Sequence, residues 1–411
     1  MNKMSKIKIK NFGPIKEGYL ENDGWLDIKR VTVFIGNQGS GKSTVAKVFS
    51  TLTWMEKALN RGDIDKGKLT HASFFKLFEY QRINNYFRKN TVIEYEGDSA
   101  RIKYNRKLEW PEVEMIKNGN FNVPKIMYVP AERNFLSVIK NAYGLKNLPD
   151  TLYTFAEELR KGQLELNDKL LLLPISKLEY KYNRDNETSY LIGENFELDL
   201  LESSSGFQSF VPLYLVTKFL TDELQKEENI LREQLSVEQS VRRSKEILDV
   251  LLNASLTDSE KTKAAKEIGS KYLNTCFINI VEEPELNLFP TSQKQMLFSL
   301  LEFNNLNKEN KLVMTTHSPY LINYLTLAVK ADTLKEKVKN EKSKAKLQKI
   351  VPNYSTVNSN EFAIYQLDEE KGIIKRLETY QGLPSDENSL NEMLGQSNEL
   401  FAQLLEIQQG L

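Results

Sequence analysis

The octapeptide Gly36-Asn37-Gln38-Gly39-Ser40-Gly41-Lys42-Ser43 fits the pattern G-x-x-x-x-G-K-[ST]. The run Arg30 to Ile35 before it is β-branched and apolar, as a buried strand is, and a helix is expected from about Ser43 to Leu59. A strand, a glycine loop and a helix in that order make a phosphate cradle. Glycines let backbone N–H groups curl around phosphate oxygens, and the helix N-terminus adds a favourable dipole. Lys42 would neutralise the β- and γ-phosphates and Ser43 would ligate Mg²⁺, so ATP with Mg²⁺ is the expected ligand. Thr44 completes the expected nucleotide-binding set of Gly36, Asn37, Gln38, Gly39, Ser40, Gly41, Lys42 and Ser43.

A second apolar strand, Cys276 to Val281, ends in Glu282-Glu283-Pro284-Glu285. Glu282 could hold the Mg²⁺, directly or through water, and Glu283 could polarise the water that attacks the γ-phosphate. The competing reading is a plain acidic surface turn. The sequence holds two histidines. His317 closes the strand Lys311 to Thr316, where it can reach a γ-phosphate; His71 has no such context and reads as structural. Ser203-Ser204-Ser205-Gly206-Phe207-Gln208-Ser209 lies at a strand end, before a helix expected near Phe210. It reads either as a Ser-rich N-cap or as a second phosphate cradle, which would best serve the nucleotide of a partner subunit.

Around these segments the alternation of Ile7 to Asn11 predicts a strand, followed by the turn Asn11-Phe12-Gly13-Pro14 and a returning strand, Ile15 to Leu20. Strands are also expected at TVIEYEG, ARIKYN, PKIMYVP, Tyr190 to Leu201, EFAIYQL and GIIKRL. Leu-rich residues 135 to 190 read as mostly helical, as does the charged stretch from Phe210 to Tyr272. Its cluster Glu223, Lys226, Glu227, Glu228, Arg232 and Glu233 is a solvated face or a partner arm. Eight lysines between Lys330 and Lys349 mark an exposed loop or helix, with phosphate-backbone contact to DNA as the alternative. The 56 basic and 56 acidic residues cancel, so no polyanionic partner is demanded. Cys276 is the one cysteine, which rules out an internal disulfide and fits a reducing cytoplasm. The N-terminal lysines alternate with isoleucines instead of preceding an apolar block, and no apolar stretch nears the ~20 residues that span a bilayer. A cytoplasmic protein without membrane segments is expected.

With these segments in this order, the chain resembles the ABC-type ATPases of the SMC, Rad50, RecF and OLD group, and among them the stand-alone bacterial ATPases often labelled AAA15 or AAA21. The match covers NFGPI, GNQGSGKST, YVPAERN, SSSGFQS, INIVEEPELNLFP and TTHSPYLIN. The resemblance implies an α/β fold: an ABC-type P-loop head with a mixed-sheet core, an antiparallel β lobe and an inserted helical lobe. It suggests an ATPase lobe at 1–205, a signature and charged helical lobe at 206–275, the carboxylate and histidine part of the core at 276–330, and a Lys-rich β/α cap at 331–411. Carried over by position, Ser204, Ser205 and Gly206 would contact a γ-phosphate in trans, with Gln208 as the last signature residue. Glu282 takes the place of a metal-ligating aspartate, Glu283 that of the catalytic base and His317 that of the switch histidine. A homodimer or higher homo-oligomer with ATP sandwiched at the interface follows.

Three departures stand out. Asn287 and Phe289 replace histidines frequent in OLD-like chains, no clear Q-loop glutamine stands out although Glu132 and Arg133 of YVPAERN lie at about its place, and the interval before the signature is too short for a long SMC arm. After His317 the aspartates Asp332, Asp368 and Asp386 form no Asp-x-Asp, so no Toprim nuclease is expected. Chains of this kind resemble the ATPase subunits of anti-phage systems such as PARIS and Septu or retron PtuA, which implies a separate, nuclease-like effector protein. A RecF- or Rad50-like DNA-repair clamp is the alternative, with an OLD-like nuclease behind it.

Overall fold

The computed structural model describes residues 5–116, 121–139, 147–226 and 235–409. Its centre is a seven-stranded sheet in the order Gly18–Tyr19, Ile373–Arg376, Phe362–Leu367, Val31–Gly36, Lys311–Thr316, Cys276–Glu282 and Pro124–Val129. The last five run parallel, and Ile373–Arg376 lies antiparallel to Phe362–Leu367. Buried on both faces, the strands at its heart are near-continuous apolar runs, as parallel strands covered by helices must be. Alternate residues serve opposite layers. Val31, Val33 and Ile35 pack with Phe155, Phe210, Met296 and Leu325 from helices on one face. Phe34, Val313 and Ile280 pack on the other face with Val45, Phe49 and Leu52 of the helix Lys42–Arg61.

A five-stranded antiparallel sheet, ordered Leu26–Ile28, Ser5–Phe12, Phe87–Glu96, Ala100–Asn105 and Glu112–Met115, covers that second layer. The expected α/β head and antiparallel lobe are thus both present. Residues 135 to 190 depart from the helical expectation. Among the described residues there, only Asp150–Leu166 is α-helical; Leu171–Leu172, Glu179–Asn183 and Thr188–Ile192 join Glu197–Asp199 in a four-stranded antiparallel sheet. Leucine content pointed to a helix, but Glu179–Asn183 buries every second residue, and Asn183 accepts from the backbone N–H groups of Asp185 and Asn186 to close a hairpin turn.

The helix near Phe210 begins earlier than expected and spans Ser205–Gln225. Of the charged stretch, Glu227, Glu228, Arg232 and Glu233 lie outside the described residues. Beyond it, the helices Val237–Leu252 and Asp258–Ser270 form a hairpin with no buried residue, fastened by Arg242 and Gln239 to Asp63 at 2.6 and 3.0 Å. The Lys-rich segment is the end of the helix Pro319–Lys335 and the helix Glu341–Ile350. Cys276 is buried, and burial pushes its thiol up to about 12. No helix among the described residues is long and apolar enough to cross a membrane.

One carboxylate ties the antiparallel lobe to the helix Lys42–Arg61. Glu56 accepts from the Tyr95 hydroxyl at 2.6 Å, the Ser99 N–H at 2.6 Å, the Ala100 N–H at 3.0 Å and the Ser99 hydroxyl at 3.1 Å. Burial nevertheless pushes its carboxyl above the usual range. Glu56→Ala strands several buried donors at once. It is expected to cost about 2–4 kcal/mol in denaturant unfolding, well above the ~0.5 kcal/mol of an ordinary surface change.

Candidate functional site

Parallel register brings three strand ends together. Thr316 lies beside Ile35, and Glu282 lies beside Thr315, so the glycine loop, the carboxylates and His317 share one edge of the sheet. The loop between Gly36 and Lys42 turns through left-handed backbone at Gly41, with φ of 102°. A Cβ there would also stand 3.1 Å from Ile15 and 3.2 Å from Pro14, which places the turn Asn11-Phe12-Gly13-Pro14 directly under the loop. The helix that follows has Gly41 as N-cap with no side-chain cap, so its first N–H groups are left to an anion.

Lys42 is buried in the loop. Its Nζ donates to the carbonyls of Gly36 at 2.9 Å and Asn37 at 2.8 Å. Burial lowers its ammonium to about 8, against the pull of Glu283, Glu285, Glu369 and Glu282. The Ser40 hydroxyl is buried in the same loop without a protein partner, and Asn37 holds Glu369 at 2.9 Å through its amide. Ser43 is half-buried and Thr44 buried at the start of the helix.

At the carboxylate end, Glu282 is 5% exposed and accepts from the Ala131 N–H at 3.3 Å. Glu283 sits in left-handed backbone with φ of 42°, an uncommon conformation for a glutamate. Its carboxylate faces His317 Nε2 at 3.5 Å. The hydrogen bond to His317 is the chief reason that its carboxyl lies below the ordinary range. Glu285, for which its residue type suggested no separate role, is half-buried. Its Oε1 accepts from the Thr316 hydroxyl and the His317 N–H, both at 2.7 Å, while burial pushes its carboxyl upward. His71, by contrast, donates from Nε2 to the Leu108 carbonyl at 3.3 Å and stacks near Trp110, a structural setting.

Ser204 and Ser205 are exposed at the N-terminus of the helix Ser205–Gln225, and Ser204 forms no side-chain cap. Gln208 turns inward and donates to the Leu201 carbonyl at 2.9 Å. A Cβ on Gly206 would lie 3.0 Å from the Asn287 carbonyl, and the Asn287 amide donates to the Ser209 hydroxyl at 2.9 Å. The serine segment is therefore packed on the loop that follows the carboxylates. Asn287 makes this link, whereas Phe289 is 73% exposed.

Residues 245–322 match the family model AAA_15, described as an AAA ATPase domain; the matched stretch holds Glu282, Glu283, Glu285, Asn287 and His317. With the phosphate loop on the neighbouring strand, the matched stretch marks the chain as an ATPase.

No curated protein matches this ATPase. Among solved structures it is similar to the SMC head domain from Thermotoga maritima, at 11% identity and TM-score 0.39, over 92% of this chain and 100% of the other. A Smc head domain with an extended coiled coil, bound to the C-terminal domain of ScpA derived from Pyrococcus furiosus, aligns at 8% identity and TM-score 0.41, over 98% and 100%. Both overlaps are loose, and the assignment rests on the site and the family match instead.

Arg133 is the residue of the ATPase that the sequence underplayed. It is fully buried, and its guanidinium donates to the carbonyls of Glu282 and Glu283 at 2.7 Å each, Ser209 at 3.2 Å and Pro130 at 3.3 Å. Burial lowers it to about 10. One side chain thus fixes the backbone under both carboxylates and the first turn of the serine helix. Its place after a strand, in YVPAERN, was visible; its partners are main-chain atoms and leave no trace in side-chain types. Arg133→Met should cost about 3 kcal/mol or more in unfolding and should lower kcat for ATP more than it weakens nucleotide binding; equal activity would contradict its role.

Proposed function

We propose that ATP clamps two copies of this ATPase together, with each nucleotide held by the phosphate loop of one copy and the serine segment of the other. The observation that carries this reading is the exposed, uncapped N-terminus at Ser204 and Ser205: a second anion site built of hydroxyls and free N–H groups, on a chain that already has a complete phosphate loop. In the proposed dimer, Ser204, Ser205 and Gly206 meet the γ-phosphate, and Gln208 braces their turn through Leu201. Gly36, Asn37, Gln38, Gly39, Ser40, Gly41 and Thr44 shape the cradle of the resident site.

The residues fit Mg²⁺ as well. The Ser43 hydroxyl and the buried Glu282 carboxylate are hard oxygen donors of the kind it takes, alongside substrate phosphates. Bound there, Mg²⁺ would neutralise charge on the β- and γ-phosphate oxygens. Lys42 exchanges its two loop carbonyls for the phosphates. Glu283 accepts a proton from the attacking water, and its depressed pKa keeps it ionised for that task. His317 steadies the Glu283 carboxylate and contacts the γ-phosphate, held in place from behind by Glu285. Opening and closing of the dimer then works as a scaffold whose state is read by a separate, nuclease-like effector, in a setting of bacterial anti-phage defence. A DNA-clamp reading draws on the exposed Lys342, Lys346 and Lys349 at i, i+4 and i+7 of one helix; it calls for ATPase activity stimulated by DNA with a steep salt dependence.

Two experiments test the reading. Glu283→Gln should bind ATP, lose about 10²-fold or more in hydrolysis and accumulate with the clamp closed, whereas Ser205→Arg should bind ATP without closing the clamp and lose turnover. Unchanged hydrolysis in both would refute the clamp. The second concerns pH. In the folded protein without nucleotide, Lys42 titrates at about 8, well below the ordinary lysine value of 10.5. Below pH 8 the ammonium is already charged and ATP binds without proton uptake. Above 8 each binding event must recruit a proton, so affinity should fall with rising pH, by up to about tenfold per unit. Calorimetry in buffers of different ionisation enthalpy reads that uptake directly; a flat profile between pH 8 and 10 would contradict it.

A further inference from the structure

The last described element is the helix Ser389–Gln409, 21 residues long and therefore about 30 Å from end to end. It starts at the nucleotide site. The Ser389 N–H donates to Gln366 at 3.0 Å, and Leu390 and Met393 line a cavity of about 340 Å³ with Gly36, Asn37, Gln38 and His317. Beyond that root the helix stands apart from the body of the protein. Leu400, Phe401, Leu404 and Ile407 are 61, 60, 62 and 61% exposed.

A surface helix that packed on its own domain would bury this stripe. Here the helix follows a seven-residue period: Leu390, Ser397 and Leu404 recur at one position and Met393, Leu400 and Ile407 at another, with Phe401 beside them at a flanking position. Glu392, Glu399 and Glu406 recur with the same spacing and are the helix's only charged residues. With the leucine series at position a and the methionine series at d, all three glutamates fall at c, away from the seam. Position g is Gln396 and Gln403. Sustained a/d periodicity is the pattern of helices that pair along their length, and charges at e and g are what select one partner over another. This seam carries none. A second copy meets it without like-charge repulsion, and no oppositely charged partner is favoured over that copy.

We propose that the helix Ser389–Gln409 pairs with the same helix of a second copy, forming a contact between subunits that needs no nucleotide. The Ser397 hydroxyl at an a position fixes the register at some cost in stability. Because the helix is rooted beside Gly36–Gln38, pairing holds two phosphate loops at high effective concentration before ATP arrives.

The test uses the full chain. Light scattering without nucleotide should give a mass of at least two copies for the wild type, and Leu400→Glu with Leu404→Glu together should reduce it about twofold or more, to a single copy. Both positions are exposed, so circular dichroism and ATP affinity should stay as in the wild type. A closer measurement places cysteine at Leu400, near the middle of the exposed stretch, where parallel and antiparallel pairs both bring it to its mate. Leu400→Cys should cross-link under mild oxidation and Glu399→Cys, on the outer face, should not; Cys276 is buried and stays silent. A nucleotide-free wild type that runs as one copy overturns the proposal, as does equal cross-linking at the two positions. A nucleotide-free assembly that survives the double glutamate change points to a different surface and overturns it too. Ser205→Arg separates this contact from the ATP clamp: it should keep the nucleotide-free pair and lose only the ATP-driven step.

Discussion

A single buried guanidinium holds the reaction centre in shape. Arg133 spends its donors on main-chain carbonyls of the carboxylate strand end, the serine helix and its own turn. Burying such a charge without an anion in direct contact is costly, and only the convergence of several carbonyl dipoles, with four glutamates nearby, makes it tolerable. The return is geometric. Glu283 is kept in a backbone conformation that a glutamate seldom adopts, so its carboxylate faces His317 instead of following the strand. The serine helix is tied to the same carbonyls, because Ser209 bonds to Arg133 by its backbone and to Asn287 by its side chain.

The carboxylates divide the work by environment. Glu283 has a cationic and hydrogen-bonding neighbourhood that favours its ionised form. Two residues on, Glu285 is enclosed, and burial disfavours its charge. In the proposed reaction Glu283 would take the proton and Glu285 brace the histidine segment, although the two side chains are chemically identical. Lys42 follows the same logic in reverse: burial weakens its charge while it bonds to the carbonyls of its own loop, which phosphate oxygens would replace in the proposed site.

Much of this was legible in the residues. The phosphate loop, the strand ending in paired glutamates and the strand ending in His317 each combine an apolar run with polar residues that an interior would reject, and parallel register then had to bring their ends together. The AAA_15 match covers the second and third of these segments. Arg133 was harder to read because its partners are carbonyls, which every residue owns. Glu56 likewise serves one hairpin turn far away in sequence. The strands between Leu171 and Ile192 were hidden by leucine content; their period of two emerges only where tyrosine and lysine alternate in Glu179–Asn183. The early start of the helix Ser205–Gln225 was obscured by glycine and serine, poor helix formers that a first turn nevertheless accepts.

The helical hairpin of Val237–Leu252 and Asp258–Ser270 differs in kind from the rest of the ATPase. Its helices bury nothing, and the attachment of Arg242 and Gln239 to Asp63 is polar, at the turn where the helix Lys42–Arg61 ends. Apolar cores keep their strength in brine, whereas an ion pair at the surface is screened by it. Raising ionic strength should therefore weaken this attachment while leaving the apolar core of the body unaffected.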